Sequence, residues 1–319
     1  GLSVNQNTLF FFDLVNQTFL DSLSVPIEGP DAMGAVSDFY FHNTDSIFLI
    51  SEDYNTLGLV GLNGNIIFVK PFNKAIEAHP LISWIETGTT FRIKWLETEQ
   101  CILLHSSPDY DYSASEFYET GHLAWLDVET MSFTRVTGGY PEELKPGDGY
   151  YLPLGYVFDA NSYNGKYYMS FLNSHTIYEL DDLLHARNFC KSTYLPYVPS
   201  FLKIDHDFQE ESNYINTQGF YYKTLQQGHK LYRFVKHGQP LKDPEMRLNQ
   251  YFNAPWSLLM VDLKKGKARE ILFEKNRYRF TDAHLLSGNR LLVSLENEFN
   301  PDNDENLLQF EILQLEKDI

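Results

Sequence analysis

Short apolar stretches recur along the chain, each closing on an acidic or small residue before a turn. They read LFFFDL (through Asp13), LGLVGL (through Gly61), LAWLDV (through Asp127), TIYELD (through Asp181), LLMVDL (through Asp262) and LLQFEI (through Glu311). These anchors stand 48, 66, 54, 81 and 49 residues apart, so one unit repeats while its insertions vary. Repeats of roughly 40–50 residues built from short strands predict an all-β fold, a β-propeller whose blades are four-stranded antiparallel sheets. The count predicts six blades, with seven as the alternative if the insertion after the fourth hides another.

The strands of each blade can be lettered A to D outward from the axis. Full sets are expected at 36–72, 91–136, 156–194 and 220–273. The first blade holds LSV, TLFFFDLV and TFLDSLSV and lacks strand A; the sixth holds TDAHLL, RLLVSLE and LLQFEILQL and lacks strand D. Because Gly1 leads directly into LSV, the chain is expected to begin inside a blade. A short upstream segment would supply the missing strands and draw the two ends of a single domain, 1–319, together. Turns between A and B are short and polar (HNTDS, ETEQ, YNGK, SGN), and Asn63-Gly64 is a strong hairpin signal between C and D. The long insertions (73–90, 106–121, 138–155, 195–219, 238–255, 297–306) all fall in D–A or B–C connections, which emerge on one side of a propeller disc. Functional groups are expected on that decorated face. Only 180–187 and 240–252 hint at helix, a turn or two each.

Composition narrows the function. Aromatic residues make up 15% of the 319 and hydrophobic ones 43%, enough for a large core. A net charge of −18 excludes a nucleic-acid binder, which needs a basic footprint. Cys101 and Cys190, far apart in predicted strands, are expected as buried free thiols. No apolar run approaches the ~18 residues of a membrane span. The sequence holds no His-Glu-x-x-His, no Cys-x-x-Cys and no Gly-x-Ser-x-Gly elbow, so zinc and α/β-hydrolase chemistry lack support.

The candidates for chemistry are therefore scattered. DYDYSASEFYE (109–119) sets Asp109, Asp111, Glu116 and Glu119 among Tyr110, Tyr112, Phe117 and Tyr118. Such a run could form a lip for sugars or peptides, because rings stack on apolar ligand faces while carboxylates hold hydroxyls or amines, or could be a solvated loop pinned by its own rings. Trp84, Tyr140, Tyr150, Tyr151, Tyr251, Phe252 and Trp256 are expected on the same face. Arg92 on an inner strand and Arg233 on the next strand out of its blade could clamp an acidic ligand, or could each form an internal ion pair. Asp282 and His284, alternate residues on the last inner strand, are the candidate ligands of a central divalent cation. NPDNDEN (300–306) lacks the glycine and the closing glutamate of a calcium loop and reads as a polar loop.

Three stretches carry a family likeness. VPIEGPDAMGAVSDFYFHNTDSIFLIS (25–51), with Glu28, Gly29, Pro30 and Gly34 entering the second blade, resembles a family of uncharacterised exported TolB-like six-bladed propellers of Gram-negative gut bacteria. FYYKTLQQGHKLYRFVKHG (220–238) and NPDNDENLLQFEILQLEK (300–317) are similar to it as well. The resemblance implies export to the periplasm or the outer-membrane surface, often through an N-terminal lipid anchor whose cysteine is not in this sequence. The family has no established activity, so it lends no catalytic residue. Together these readings lead to a non-catalytic binding propeller of the cell envelope, without a cofactor, whose partner is a glycan, a peptide or an envelope protein. The alternative is a metal-dependent lactonase- or lyase-like enzyme with its site on the axis.

Overall fold

The structure, a computed structural model, describes residues 1–29, 32–87, 92–111, 113–147, 149–151, 158–180, 182–195, 201–203, 205, 207–297, 299–304 and 306–315. The chain divides into two compact units, Gly1–Gly139 and Tyr140–Ile319. Both are built from small antiparallel sheets whose strands follow one another in chain order, apart from the pairing of Tyr150–Tyr151 with Leu202–Lys203 and that of Trp84–Glu86 with Cys101–Ser107.

In the first unit, sheet one is β1 (Leu2–Ser3), β2 (Thr8–Asp13) and β3 (Thr18–Ser24). Sheet two is β4 (Asp38–Asn43), β5 (Ser46–Ser51), β6 (Thr56–Val60) and β7 (Ile66–Pro71), followed by the short helix α1 (Asn73–Glu77). Sheet three holds β8 (Trp84–Glu86), β9 (Lys94–Leu96), β10 (Cys101–Ser107), β11 (Leu123–Asp127) and β12 (Phe133–Thr137). Both β8 and β9 pair with β10, so the inner position of this sheet is split between two strands.

The second unit opens with β13 (Tyr150–Tyr151) and sheet four: β14 (Phe158–Tyr163), β15 (Lys166–Phe171), β16 (Thr176–Glu179) and β17 (Asp182–Phe189). Then come β18 (Leu202–Lys203), which pairs with β13, and the helix α2 (Phe208–Thr217). Sheet five is β19 (Phe220–Gln227), β20 (Lys230–Lys236), β21 (Trp256–Asp262) and β22 (Lys267–Leu272). Sheet six is β23 (Arg279–Leu286), β24 (Arg290–Ser294) and β25 (Phe310–Gln314).

In β5, β10, β20 and β21 the apolar runs are buried on both faces, which replaces the usual alternation with a continuous hydrophobic stretch. In β5, Ile47 and Leu49 pack with Leu9 and Val36, whereas Phe48 and Ile50 pack with Ile102, Leu104 and Ala124 of sheet three. Sheet five repeats the arrangement: Leu231, Val235, Leu259 and Val261 meet Ile177, while Tyr232, Phe234, Leu258 and Met260 meet Phe280, Leu291 and Val293. Each such side chain contributes about 1.5–3 kcal/mol on burial. Outer strands such as β3 and β22 are largely exposed.

Both cysteines are buried free thiols, as expected. Local readings needed more revision. The stretch 180–187 is not helical: β17 covers most of it, because its side of sheet four offers an open edge to pair with. Over 240–252 the described chain forms one isolated bridge, Lys242 to Leu248, and the start of a 3-10 turn, Tyr251–Asn253. The helix that does form, α2, starts where Asp207 accepts the backbone N–H of Glu210 at 2.8 Å, an N-cap the sequence displays as Asp-x-x-Glu. Pro30, Phe91 and the predicted strand start at 156–157 lie outside the described residues. The buried Asn7 ties Val25 to the stretch before β4: its amide donates to the carbonyls of Val25 (2.8 Å) and Gly34 (3.1 Å) and accepts from the Val36 N–H.

Candidate ligand-binding site

In the first unit, the edge strand β8 brings the clearest cluster of chemistry to the surface. The ladder sets Glu86 opposite His105, Ile85 opposite Ser106 and Trp84 opposite Ser107. Trp84 is 47% exposed, and its indole N–H donates to Glu86 Oε1 at 3.0 Å. The other carboxylate oxygen, Oε2, lies 3.0 Å from His105 Nδ1, on a side chain only 1% exposed. Behind His105 the ring of His122 stacks at 6.3 Å and 21°, and its Nε2 lies 2.6 Å from the Phe117 carbonyl, to which it donates.

Backbone geometry makes this approach attainable. Gly121 has φ +95°, and a Cβ there would sit 2.6 Å from the Leu81 carbonyl oxygen. Only glycine lets the chain pass so close just before His122. Ser106 Oγ fixes the same point by donating to the Gly121 carbonyl at 2.7 Å.

The electrostatics separate the roles. Burial works to raise the Glu86 carboxyl, but the hydrogen bond and charge of His105, then the Trp84 N–H, outweigh it and hold Glu86 below its ordinary value. It is therefore ionised at neutral pH. His122 is pushed down to about 3, first by burial and then by the charge of His105, so it stays neutral. The buried imidazoles act as a rigid backing for Glu86, and Glu86 in turn fixes the exposed indole.

Tyr110 reaches the same end of the sheet and is 45% exposed. The two chain segments are tied by Ser83 Oγ, which donates to Asp109 Oδ1 at 3.3 Å one residue before each aromatic. Tyr112 lies outside the described residues, as does the side chain of Tyr151, whose backbone belongs to β13. Arg92 forms the ion pair that was one of its two readings: an η nitrogen stands 2.6 Å from Oδ1 of the fully buried Asp38. Its side chain nevertheless remains 44% exposed.

The second unit places its candidates differently. Arg233 is fully buried, donates to the carbonyls of Phe171, Ser174 and His175, and lies 3.5 Å over the Tyr221 ring. It faces no solvent because its strand is covered on both sides. Trp256 is likewise inside, 1% exposed and stacked on Phe273 at 3.9 Å, and Tyr140 is buried as well. Asp282 Oδ2 sits 3.0 Å from Arg279 Nε, and His284 is exposed further along β23. Among the described residues no group of three or more His, Cys, Asp or Glu is placed to hold a metal ion.

Of this cluster the sequence pointed to Trp84 and Tyr110 and not to Glu86, His105 or His122. The available signal was a histidine inside CILLHS and another heading GHLAWLD, each a lone polar residue where burial is expected.

No curated protein matches the chain. A solved structure of a DUF4221 family member from Bacteroides vulgatus ATCC 8482 is similar at 19% identity and a TM-score of 0.77, covering 97% of this chain and 86% of that one. A candidate exported protein from Bacteroides fragilis NCTC 9343 is similar at 11% identity and a TM-score of 0.54, over 92% of this chain and 75% of the other. At such identities the likeness is one of fold. The model for DUF4221, a domain of unknown function, matches residues 2–262, and the chain belongs to that family.

Proposed function

We propose that this protein is an exported six-bladed β-propeller, a single domain that binds a hydroxyl-rich saccharide at the Trp84–Glu86–Tyr110 lip without transforming it. Six successive meander sheets support the architecture, and the similar fold of the candidate exported protein from Bacteroides fragilis supports a place in the periplasm or on the cell surface. The observation that carries the binding reading is the exposed Trp84 indole held by Glu86, itself held by buried His105. A fixed ring loses little conformational entropy when a sugar face stacks on it, and the ionised carboxylate accepts from hydroxyls. The net charge of −18 favours a neutral ligand over a polyanion.

Of the four tryptophans, Trp125 and Trp256 are buried and Trp95 is half-buried and stacked on Phe48, so quenching reports chiefly on Trp84. Titration with cello-, malto- and xylo-oligosaccharides should quench the fluorescence of the wild type. Trp84→Ala should weaken binding at least tenfold, about 1.4 kcal/mol. Unquenched fluorescence throughout, or unchanged affinity in the variant, would overturn the reading and leave a peptide or envelope protein as the partner to screen.

A further inference from the structure

Sheet six carries a second constellation that the lip does not use. Arg279 and Asp282 are three residues apart, and in a regular strand they would point to opposite faces. A bulge between Arg279 and Ala283 shifts the register there, and it brings Arg279 Nε within 3.0 Å of Asp282 Oδ2. Bulges re-aim side chains and recur beside functional sites.

The guanidinium is fixed from three sides. Its Nε also lies 3.2 Å from Thr281 Oγ1, and its plane sits 5.4 Å over the Phe252 ring. The backbone beneath is pinned too: the buried Lys223 ammonium donates to the carbonyls of Thr281 (2.8 Å) and Ala283 (2.9 Å), on either side of Asp282. Arg279 is 41% exposed, and its two η nitrogens have no partner among the described residues. That leaves one donor edge of a rigid fork facing solvent, the geometry that recognises a carboxylate.

Negative charge stands next to it. Asp282 is 43% exposed, and among the described residues only its Oδ2 is engaged. Glu296 lies two residues beyond Ser294, which faces Arg279 across the ladder, and its carboxylate has no partner among the described residues. Glu296 is held beside Arg279 between the Ser294–Arg279 pair and Asn297, whose amide donates to the Tyr278 carbonyl at 3.0 Å; burial and then repulsion from Asp282 raise its pKa, against the pull of Arg279. An unsatisfied half-buried carboxylate beside an open guanidinium suits a ligand of both charges. A dianion such as phosphate would meet two carboxylates, and a simple cation would meet the arginine.

The geometry points to a zwitterion site on sheet six: Arg279 takes the carboxylate, Glu296 with Asp282 the ammonium, of an α-amino acid whose apolar part lies along Phe252. This inference stands independently of the saccharide lip. Calorimetric titration with L-leucine tests it against two matched halves, 4-methylpentanoate without the ammonium and isoamylamine without the carboxylate. L-leucine should bind, and each half should bind at least tenfold more weakly. Arg279→Gln and Glu296→Gln should each cost tenfold or more, while Trp84→Ala leaves L-leucine affinity unchanged. If Arg279→Gln fails to fold, Glu296→Gln decides alone, because that carboxylate has no partner among the described residues to lose. Equal binding of either half, no binding of L-leucine at millimolar concentration, or full affinity in Glu296→Gln would overturn the proposal.

Discussion

Lys236 is a buried cation that pairs with no carboxylate among the described residues. Its ammonium donates to the carbonyls of Asn216 (3.1 Å), Gln218 (2.5 Å) and His237 (3.4 Å), closing the C-terminal end of α2 against β20. Burial pushes its pKa from 10.5 down to about 7. Between those two values the unfolded chain holds a proton that the folded chain lacks, so stability rises with pH across that window; below it the full penalty remains. Lys236→Met removes the penalty but leaves carbonyls without their donor, a roughly pH-independent cost of about 1–3 kcal/mol. Denaturant unfolding at pH 6 to 10 should therefore show the wild type gaining on the variant as pH rises, by up to about 1.4 kcal/mol per unit. Parallel curves would mean that the carbonyl cage keeps the ammonium charged throughout. Nothing in KLYRFVKHG distinguishes this lysine from a solvated one. Its fate depends on where the chain places Asn216 and Gln218, some twenty residues earlier, and that is a tertiary fact.

Between strands, one contact occurs in both units. Asp38 at the start of β4 accepts the N–H of Ile93 at 2.7 Å, and Asp159 in β14 accepts the N–H of Thr224 in β19 at 2.5 Å. The residue before each donor is basic, Arg92 in one case and Lys223 in the other. Asp38, Arg92, Asp159, Lys223 and Asp282 occupy the same place relative to the first turn of their sheets, with Asp38 set one residue further by a bulge between Phe41 and Asn43. Acid and base thus alternate from sheet two to sheet six along the sequence. Within each unit the aspartate clasps the inner strand of one sheet to that of the next. Asp38→Ala and Asp159→Ala should each destabilise by about 2–4 kcal/mol, because a buried N–H loses its acceptor. The corresponding asparagines should recover about half, since their Oδ1 still accepts. Faster amide exchange at Ile93 and Thr224 locates the effect, and losses under about 0.5 kcal/mol would reduce the clasp to an incidental contact. The strands themselves were legible because both faces of β5, β10, β20 and β21 are buried, leaving apolar runs bounded by turn residues. The clasp was visible only as unexplained charges on inner strands, and β8 was hidden in an insertion because three residues carry no periodicity.

Across the full chain, the reading as one ring makes a thermodynamic demand that two compact units do not. In a ring each sheet is covered by its neighbours, and opening one unit strips apolar faces from the other, so the chain should melt as one. A single cooperative unit of 319 residues carries an unfolding enthalpy of roughly 220 kcal/mol near 60 °C. Scanning calorimetry should then give a van't Hoff enthalpy close to the calorimetric one. Two units melting independently would return a van't Hoff value near half of it, or two resolved peaks, and the single-domain reading would fall. The ratio decides what strand order cannot, because six meander sheets in series satisfy local pairing whether or not the ends meet. The acidic surface sets the condition for the experiment. With a net charge of −18, low salt adds self-repulsion that loosens any arrangement, so the comparison belongs at about 0.15 M salt, where the Debye length is about 8 Å. Cooperativity that survives there comes from shared packing between the sheets.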